Sequence, residues 1–425
     1  TCPYCGVGCQ VLLNVKDDQI FRIEAPFDAA PNYGRLCVKG RFGADYVHHP
    51  GRLKYPLVRK TKQRPGHRRP VESLEDWRQV SWDEALAVAA EGLARIRKQD
   101  GPGAITANAC AKATNEDNYL HQKLMRAVLG TNNVDHCARL CHAGSVTGLQ
   151  LAIGSSAMSN SIAEMKDLEC FIVTGSNTTE THPVISTFLK DAVTKKGATL
   201  IVIDPRQTEM AQFATLWLRQ KPGTDVAVFN AMAHVIVKEK LYDDTFISER
   251  TEGFSDYVES LEEKTPEWAE QISGVPATDI RRAARLYASA GSAAFYWGMG
   301  ISQSTHGTNN TLTLTNLALM TGHVGRPGTG LNPLRGQHTV QGCSDSGGLP
   351  NVFTAYQKVT DSDIRAKFER MWFGGNGRNR QLPAEPGLTV TEMVDGILTG
   401  TVKGWWVMGE NPLMSEPNLR HAQEA

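Results

Sequence analysis

The sequence has no apolar run long enough to cross a bilayer. Its best candidate, Thr199 to Ile203, is the length of a strand. It also has no excess of either charge: 45 Lys and Arg balance 45 Asp and Glu. That excludes the basic footprint of a nucleic-acid binder. No repeat of fixed period and no low-complexity tract appear, which sets solenoids and linkers aside. Neither a signal peptide nor a twin-arginine segment opens the chain, although it begins at Thr1 with a cysteine motif following at once. No flavin or nicotinamide fingerprint is present. At 425 residues and 41% hydrophobic composition, an ordinary globular protein of two to four domains is expected.

Against these absences, nine cysteines stand out, at positions 2, 5, 9, 37, 110, 137, 141, 170 and 343. Four fall in the first 37 residues and the others are scattered. An odd count with one tight cluster points to metal ligation in a reducing compartment, and a cytoplasmic location is expected. Cys2-x2-Cys5-x3-Cys9-x27-Cys37 is the most specific local pattern. A cubane iron–sulfur cluster needs four thiolates, and three on one loop with a distant fourth can supply them. Gly6 and Gly8 let the backbone turn tightly between the ligands. A structural zinc site is the competing reading, but zinc loops usually pair their cysteines two by two. Lys39 follows Cys37 by two residues, placed to link a cluster to a neighbouring cofactor by a charge-assisted hydrogen bond.

Residues 11–24, VLLNVKDDQIFRIE, predict a hairpin turning at Asp17-Asp18. Residues 56–79 read as a loop rich in Pro, Arg and Lys. Ser81 to Glu84 reads as a capping box opening a helix whose apolar face holds Leu86, Leu93 and Ile96. Beyond residue 100 strands and helices alternate. Four apolar runs, Cys170–Thr174, 199–203, 293–297 and 404–408, each end in a Gly- or Asp-bearing turn. Helices are expected from Val184 and from about Asn309. This is the layout of open parallel α/β sheets, with ligands beyond the strands' carboxyl ends.

Taken together, CPYCGVGC with CVKG, then CARLCHAG, GSNTTETHP, DPR, GMGISQ, NPLRGQH and GENP resemble the molybdopterin oxidoreductases of the dimethyl sulfoxide reductase superfamily. Within it they are most similar to formate dehydrogenases. The resemblance covers essentially the whole chain, in order. It implies a small cluster domain (residues 1–55) and two doubly wound α/β lobes around a bis-pterin guanine dinucleotide cofactor. One lobe would be residues 56–135 with 336–425, the other residues 136–335.

By the same resemblance, Cys2, Cys5, Cys9 and Cys37 hold a 4Fe–4S cluster, and Cys141 ligates molybdenum or tungsten. His142, unperturbed near 6.5, relays a proton. Arg335 takes the planar carboxylate of formate in its guanidinium fork. Lys39, Gly175, Asn177, Glu180, Asp204, Arg206, Gly298, Gly300, Gln303, Gln337, Gly409 and Asn411 serve the cofactor. The implied reaction is formate to CO2, with reversal open, and its electrons pass through the cluster to an electron-accepting subunit or domain. Two rival readings are a nitrate reductase, in which Met follows the ligand cysteine, and a non-catalytic electron-relay subunit. The family's further C-terminal β-barrel is expected to be missing here, since the chain stops at Ala425 within a helix starting near Pro417. On that reading residues 1–425 alone would not retain the whole cofactor.

Overall fold

A computed structural model describes residues 1–60, 74–374 and 380–425. The chain divides into two compact units, one joining Thr1–Gly43 to Leu140–His338 and the other joining Ala44–Arg139 to Thr339–Ala425.

In the first unit, β1 (Leu12–Lys16) and β2 (Gln19–Glu24) pair antiparallel. Asp17 and Asp18 both take left-handed φ values, 49° and 57°. Two such residues make the type I′ turn that matches the twist of paired strands, and Asp tolerates it better than most side chains. The hairpin stands where it is expected. The short helix α1 (Val38–Phe42) begins directly after Cys37.

The rest of this unit is built on five parallel strands: β3 (Cys170–Thr174), β4 (Thr199–Ile203), β5 (Leu216–Leu218), β6 (Ala293–Trp297) and β7 (Gly330–Pro333). Their order is β7-β6-β3-β4-β5. The chain runs outward from β3 through β4 to β5, then returns to add β6 and β7 on the other side. The direction reverses between β3 and β6, and crevices of this kind hold ligands. Both faces of the sheet are buried, which is why the strands read as unbroken apolar runs. Cys170, Ile172, Ile201 and Phe295 point into one core with α4 (Asp225–Lys238), α5 (Ala277–Ala288) and α6 (Gly307–Met320), joined by Leu149 of α2 (Ala143–Ile153). Phe171, Val173, Leu200 and Tyr296 point into another with α3 (Pro183–Lys196). Cys2, Val7 and Cys9 pack into that second core, so the cysteine loop is anchored on the sheet.

The second unit has a three-stranded parallel sheet in which Ile105–Asn108 lies between Gly404–Val407 and Val134–Asp135. The fourth apolar run therefore belongs to a different sheet from the other three. Helix Trp82–Asp100 starts as expected, with the Ser81 hydroxyl accepting the Glu84 amide at 3.2 Å. The capping box is only half closed, because the Glu84 carboxylate turns to Arg78 instead. Leu93 and Ile96 pack on the core, but Leu86 is 60% exposed and the expected apolar face is shorter than its periodicity. The stretch 56–79 is not all loop: Leu57–Arg59 pairs with Trp77–Gln79. Three-residue strands are too short to announce themselves among so many polar residues, and the middle of that stretch, 61–73, lies outside the described residues.

Arg126 is 1% exposed in this unit. Its guanidinium donates to Asn132 Oδ1 and to the carbonyls of Gly347, Leu349 and Val352, pinning residues 347–352 to the helix that carries it. Among the described residues no helix is long and apolar enough to cross a membrane.

Burial holds three imidazoles neutral: His136 is lowered to about 3, and His121 and His323 to about 4. In each case desolvation is the main cause. The unfolded chain takes up these protons near pH 6.5 while the folded chain refuses them, so stability falls as pH drops from about 6.5 toward 4. At pH 5 each such ring costs the folded state roughly 2 kcal/mol. Asp135, Asp225 and Glu410, raised chiefly by burial, oppose the trend as pH falls through their raised folded values toward the ordinary carboxylate range. Thermal melts at pH 7 and pH 5 are expected to show a fall in Tm of several degrees at the lower pH. An equal Tm at the two values would refute this.

Candidate active site

The cysteine loop closes on itself through Cys2 N–H to the Cys9 carbonyl, 2.8 Å, and Gly8 takes φ +73° to make the turn. Cys2 and Cys9 are buried and Cys5 and Cys37 half-buried, all as free thiols. Burial pushes the Cys9 thiol up to about 12, with Cys5, Cys2 and Cys37 adding to the rise. Burial also raises Cys5, which Lys39 partly offsets. The four sulfurs thus sense one another, yet among the described residues no three His, Cys, Asp or Glu side chains converge closely enough for one metal ion. A cubane iron–sulfur cluster takes four cysteine thiolates, and these four residues can supply them.

Gly6 joins this loop to the segment after β7. Its N–H lies 3.2 Å from the Arg335 carbonyl and 3.0 Å from that of Gly336. A Cβ on Gly6 would stand 2.2 Å from the Arg335 oxygen, so only glycine permits the approach. Arg335 is 7% exposed, with its guanidinium held by the Ser156 carbonyl. The same segment meets Cys141, at the end of the short helix Ala138–Cys141. Burial pushes the Cys141 thiol up to about 11, while the Arg335 charge and the Gly336 N–H pull it down. Cys141 and Arg335, 194 positions apart in the chain, are thereby neighbours.

His142 is 1% exposed and its hydrogen bonds have a fixed direction. Trp297 Nε1–H donates to Ser145 Oγ at 2.8 Å, and Ser145 Oγ lies 3.1 Å from His142 Nδ1. His142 Nε2 lies 3.0 Å from the Leu334 carbonyl. An indole N–H can only donate and a carbonyl can only accept. The proton of His142 therefore sits on Nε2, and Nδ1 accepts from Ser145. The nearby Ser302 hydroxyl, 3.3 Å from Nδ1, is spent on the Cys141 carbonyl at 2.7 Å. Burial first, then the Arg335 charge, lowers His142 to about 3. This corrects the expectation of a ring titrating near 6.5: its one proton and its one lone pair are both committed.

At the reversal point of the sheet, the turns after β3 and β6 interlock. Gly300 N–H donates to the Gly175 carbonyl at 3.0 Å, and a Cβ on Gly175 or Gly298 would strike the opposite turn. Asp204, after β4, accepts the Arg206 amide at 2.8 Å and the Ser176 amide, while burial raises its carboxyl above the usual range. Lys39 Nζ reaches the Glu180 carbonyl at 3.3 Å. Arg206 and Gln303 are exposed at the rim. Among the described residues, Gln337 Oε1, Asn177 Oδ1 and Thr179 Oγ1 are buried without a partner. Buried polar atoms of that kind call for a polar ligand, and a pterin dinucleotide fits them. Gly409 and Asn411 belong to the second unit. There Gly409 packs on Cys110 at φ +62°, and Asn411 accepts the Leu413 amide at 3.1 Å, both local structural tasks.

Sequence patterns alone give no role to Ser145, Trp297, Ser302 or His182, although Ser302 lies in the GMGISQ motif and His182 in GSNTTETHP, directly before Pro183 at the start of α3.

The chain matches the molybdopterin oxidoreductase family model over residues 52–425, and the molybdopterin oxidoreductase Fe4S4 domain over residues 1–49. It belongs to the molybdopterin oxidoreductase family. Formate dehydrogenase H of Escherichia coli (strain K12) is 42% identical over 429 aligned residues, which are all of this chain and 58% of that protein. The F420-dependent formate dehydrogenase 1 subunit alpha of Methanococcus maripaludis is 44% identical over 425 residues, all of this chain and 59% of that one. Among solved structures, acetylene hydratase from Pelobacter acetylenicus superposes with a TM-score of 0.77 at 22% identity, covering 99% of this chain and 58% of that one. At such identity the likeness is one of fold. This molybdopterin oxidoreductase chain thus spans less than two thirds of the length of these relatives.

Proposed function

We propose that this chain is the cofactor-bearing part of a formate dehydrogenase, oxidising formate to CO2 at a molybdenum or tungsten bis-pterin guanine dinucleotide centre. The observation that carries the reading is the meeting of Cys141, Gly336 and Arg335 against the cysteine loop. When bound, the metal–pterin centre supplies a two-electron acceptor and the 4Fe–4S cluster a one-electron outlet. Cys141 offers the metal a thiolate, steadied by the Gly336 N–H and the Arg335 charge. Arg335 would receive and orient the formate carboxylate in its planar guanidinium fork. His142 donates to Leu334 and so holds the backbone that carries Arg335. Asn177, Thr179 and Gln337 offer uncommitted oxygens to a cofactor, and Lys39 joins the cluster side to the Glu180 turn. An electron-accepting subunit completes the reaction, and an odd count of nine cysteines with one tight cluster suits a reducing, cytoplasmic setting.

The test is formate-dependent reduction of an artificial acceptor by the purified holoenzyme, with Mo and W measured in parallel. Nitrate reduction without formate oxidation would overturn the assignment. Arg335→Lys replaces a planar fork by a point charge, and KM for formate is expected to rise by roughly tenfold or more. Unchanged steady-state kinetics would place the substrate elsewhere.

A further inference from the structure

The side chain of His182, at the end of the turn that follows β3, touches the peptide carrying Arg335. It is 4% exposed, and its Nε2 lies 2.6 Å from the Arg335 carbonyl, 153 positions along the chain. A carbonyl only accepts, so Nε2 carries the proton. Nδ1 faces Thr181 Oγ1 at 2.9 Å, and that hydroxyl is 3.0 Å from the Asn177 carbonyl. The Arg335 carbonyl also takes the Gly6 amide of the cysteine loop. Lys39, bonded to the Glu180 carbonyl, sets its charge against protonation of the ring. One imidazole therefore ties together three segments: the cysteine loop, the Arg335 loop and the turn from Asn177 to His182.

We infer that His182 is a positioning residue, whose Nε2–H fixes the Arg335 peptide and so the register of its guanidinium at a planar anion. This deepens the formate reading and rests on it. A helix-capping role alone would need only some local donor or acceptor. Here the bond goes to the backbone of the residue that meets the substrate, and the same carbonyl is shared with the metal-binding loop. Loss of the bond frees the Arg335 peptide to rotate, which weakens anion binding more than it slows the chemical step.

The experiment uses the holoenzyme containing this chain. His182→Asn removes the donor at the Nε2 position, and His182→Gln replaces it, since the amide nitrogen of Gln reaches about as far as Nε2. Thr181→Val, which leaves the ring in place but removes the partner of Nδ1, is the milder companion. KM and kcat for formate are measured, together with the Kd of nitrate, a planar monoanion, by calorimetry without electron acceptor. The EPR signal of the reduced cluster reports that the protein is folded and loaded. The expected result is a rise of about tenfold in both KM and Kd for His182→Asn, the cost of one good hydrogen bond. A smaller rise is expected for Thr181→Val, kcat should change less than KM, and His182→Gln should recover most of the loss. The inference fails if KM and Kd stay at wild-type values in both His182→Asn and Thr181→Val. It fails equally if His182→Gln is as impaired as His182→Asn with the cluster signal intact. Absence of formate turnover in the wild type would instead sink the substrate assignment, while the nitrate Kd ratios would still decide the role of His182.

Discussion

Cys141→Ala is expected to take formate oxidation below detection while the EPR signal of the reduced cluster remains. The two outcomes separate because the two sites are anchored differently. Cys141 is buried, and its thiol is raised to about 11 by desolvation. Free in the pocket it is a neutral group, and a metal must displace its proton to gain the sulfur, which a coordinating cation does readily. Alanine offers nothing to coordinate, and no other cysteine among the described residues shares the Arg335 and Gly336 contacts. The cysteine loop, in contrast, docks through Gly6 on the main chain of Arg335 and Gly336, which the substitution leaves alone. Formate turnover, Mo or W content and the EPR spectrum are measured together. Turnover near the wild-type rate would remove Cys141 from the site, and loss of the cluster signal would show that the two sites are not independent.

The second large effect is on stability. Arg126→Met keeps most of the side-chain volume but strands the buried carbonyls of Gly347 and Val352, the half-buried one of Leu349, and the side-chain oxygens of Gln122 and Asn132. Each buried group left unmatched costs about 1–3 kcal/mol. Relief from burying a cation, whose pKa is pushed down to about 9, returns part of that. The net loss is expected to be about 3–5 kcal/mol, in line with breaking other buried charge networks. For a unit of this size that lowers Tm by roughly 10 °C. A calorimetric shift under about 2 °C would mean that water or local movement satisfies the carbonyls.

The parts of the fold legible in the sequence are those whose physics is local. Strands buried on both faces must be apolar at every position, and the runs at 170, 199 and 293 are visible for that reason. Asp17-Asp18 marks a turn because few other residues accept left-handed φ in succession. What stays hidden depends on partners that no local spacing rule announces. Glu84 has the spacing of a capping box, but nothing nearby in sequence reveals that Arg78 will claim its carboxylate in space. His142 looks like a free imidazole until Trp297 is seen to set the direction of the bonds that hold it. His182 lies in the GSNTTETHP motif, but its role is hidden for the same reason, its partner carbonyl being 153 positions away. Cys141 and Arg335 are legible only through resemblance, and no spacing rule would pair them.

The contact at Gly6 has a consequence for biosynthesis. The cysteine loop is made before the backbone it leans on, which follows roughly 330 residues later. At about 5–20 residues per second, the loop waits roughly 15 to 65 seconds on the ribosome before its seat exists. Contacts of such long range form late, because the chain must be closed into a very large loop first. During that interval the thiols of Cys2, Cys5 and Cys9 lack the sheet core that later buries Cys2 and Cys9, and they are open to oxidation and stray metal. Delivery of iron and sulfide to this chain is therefore a matter of timing: a nascent loop must be kept reduced until the sheet that receives it has been translated.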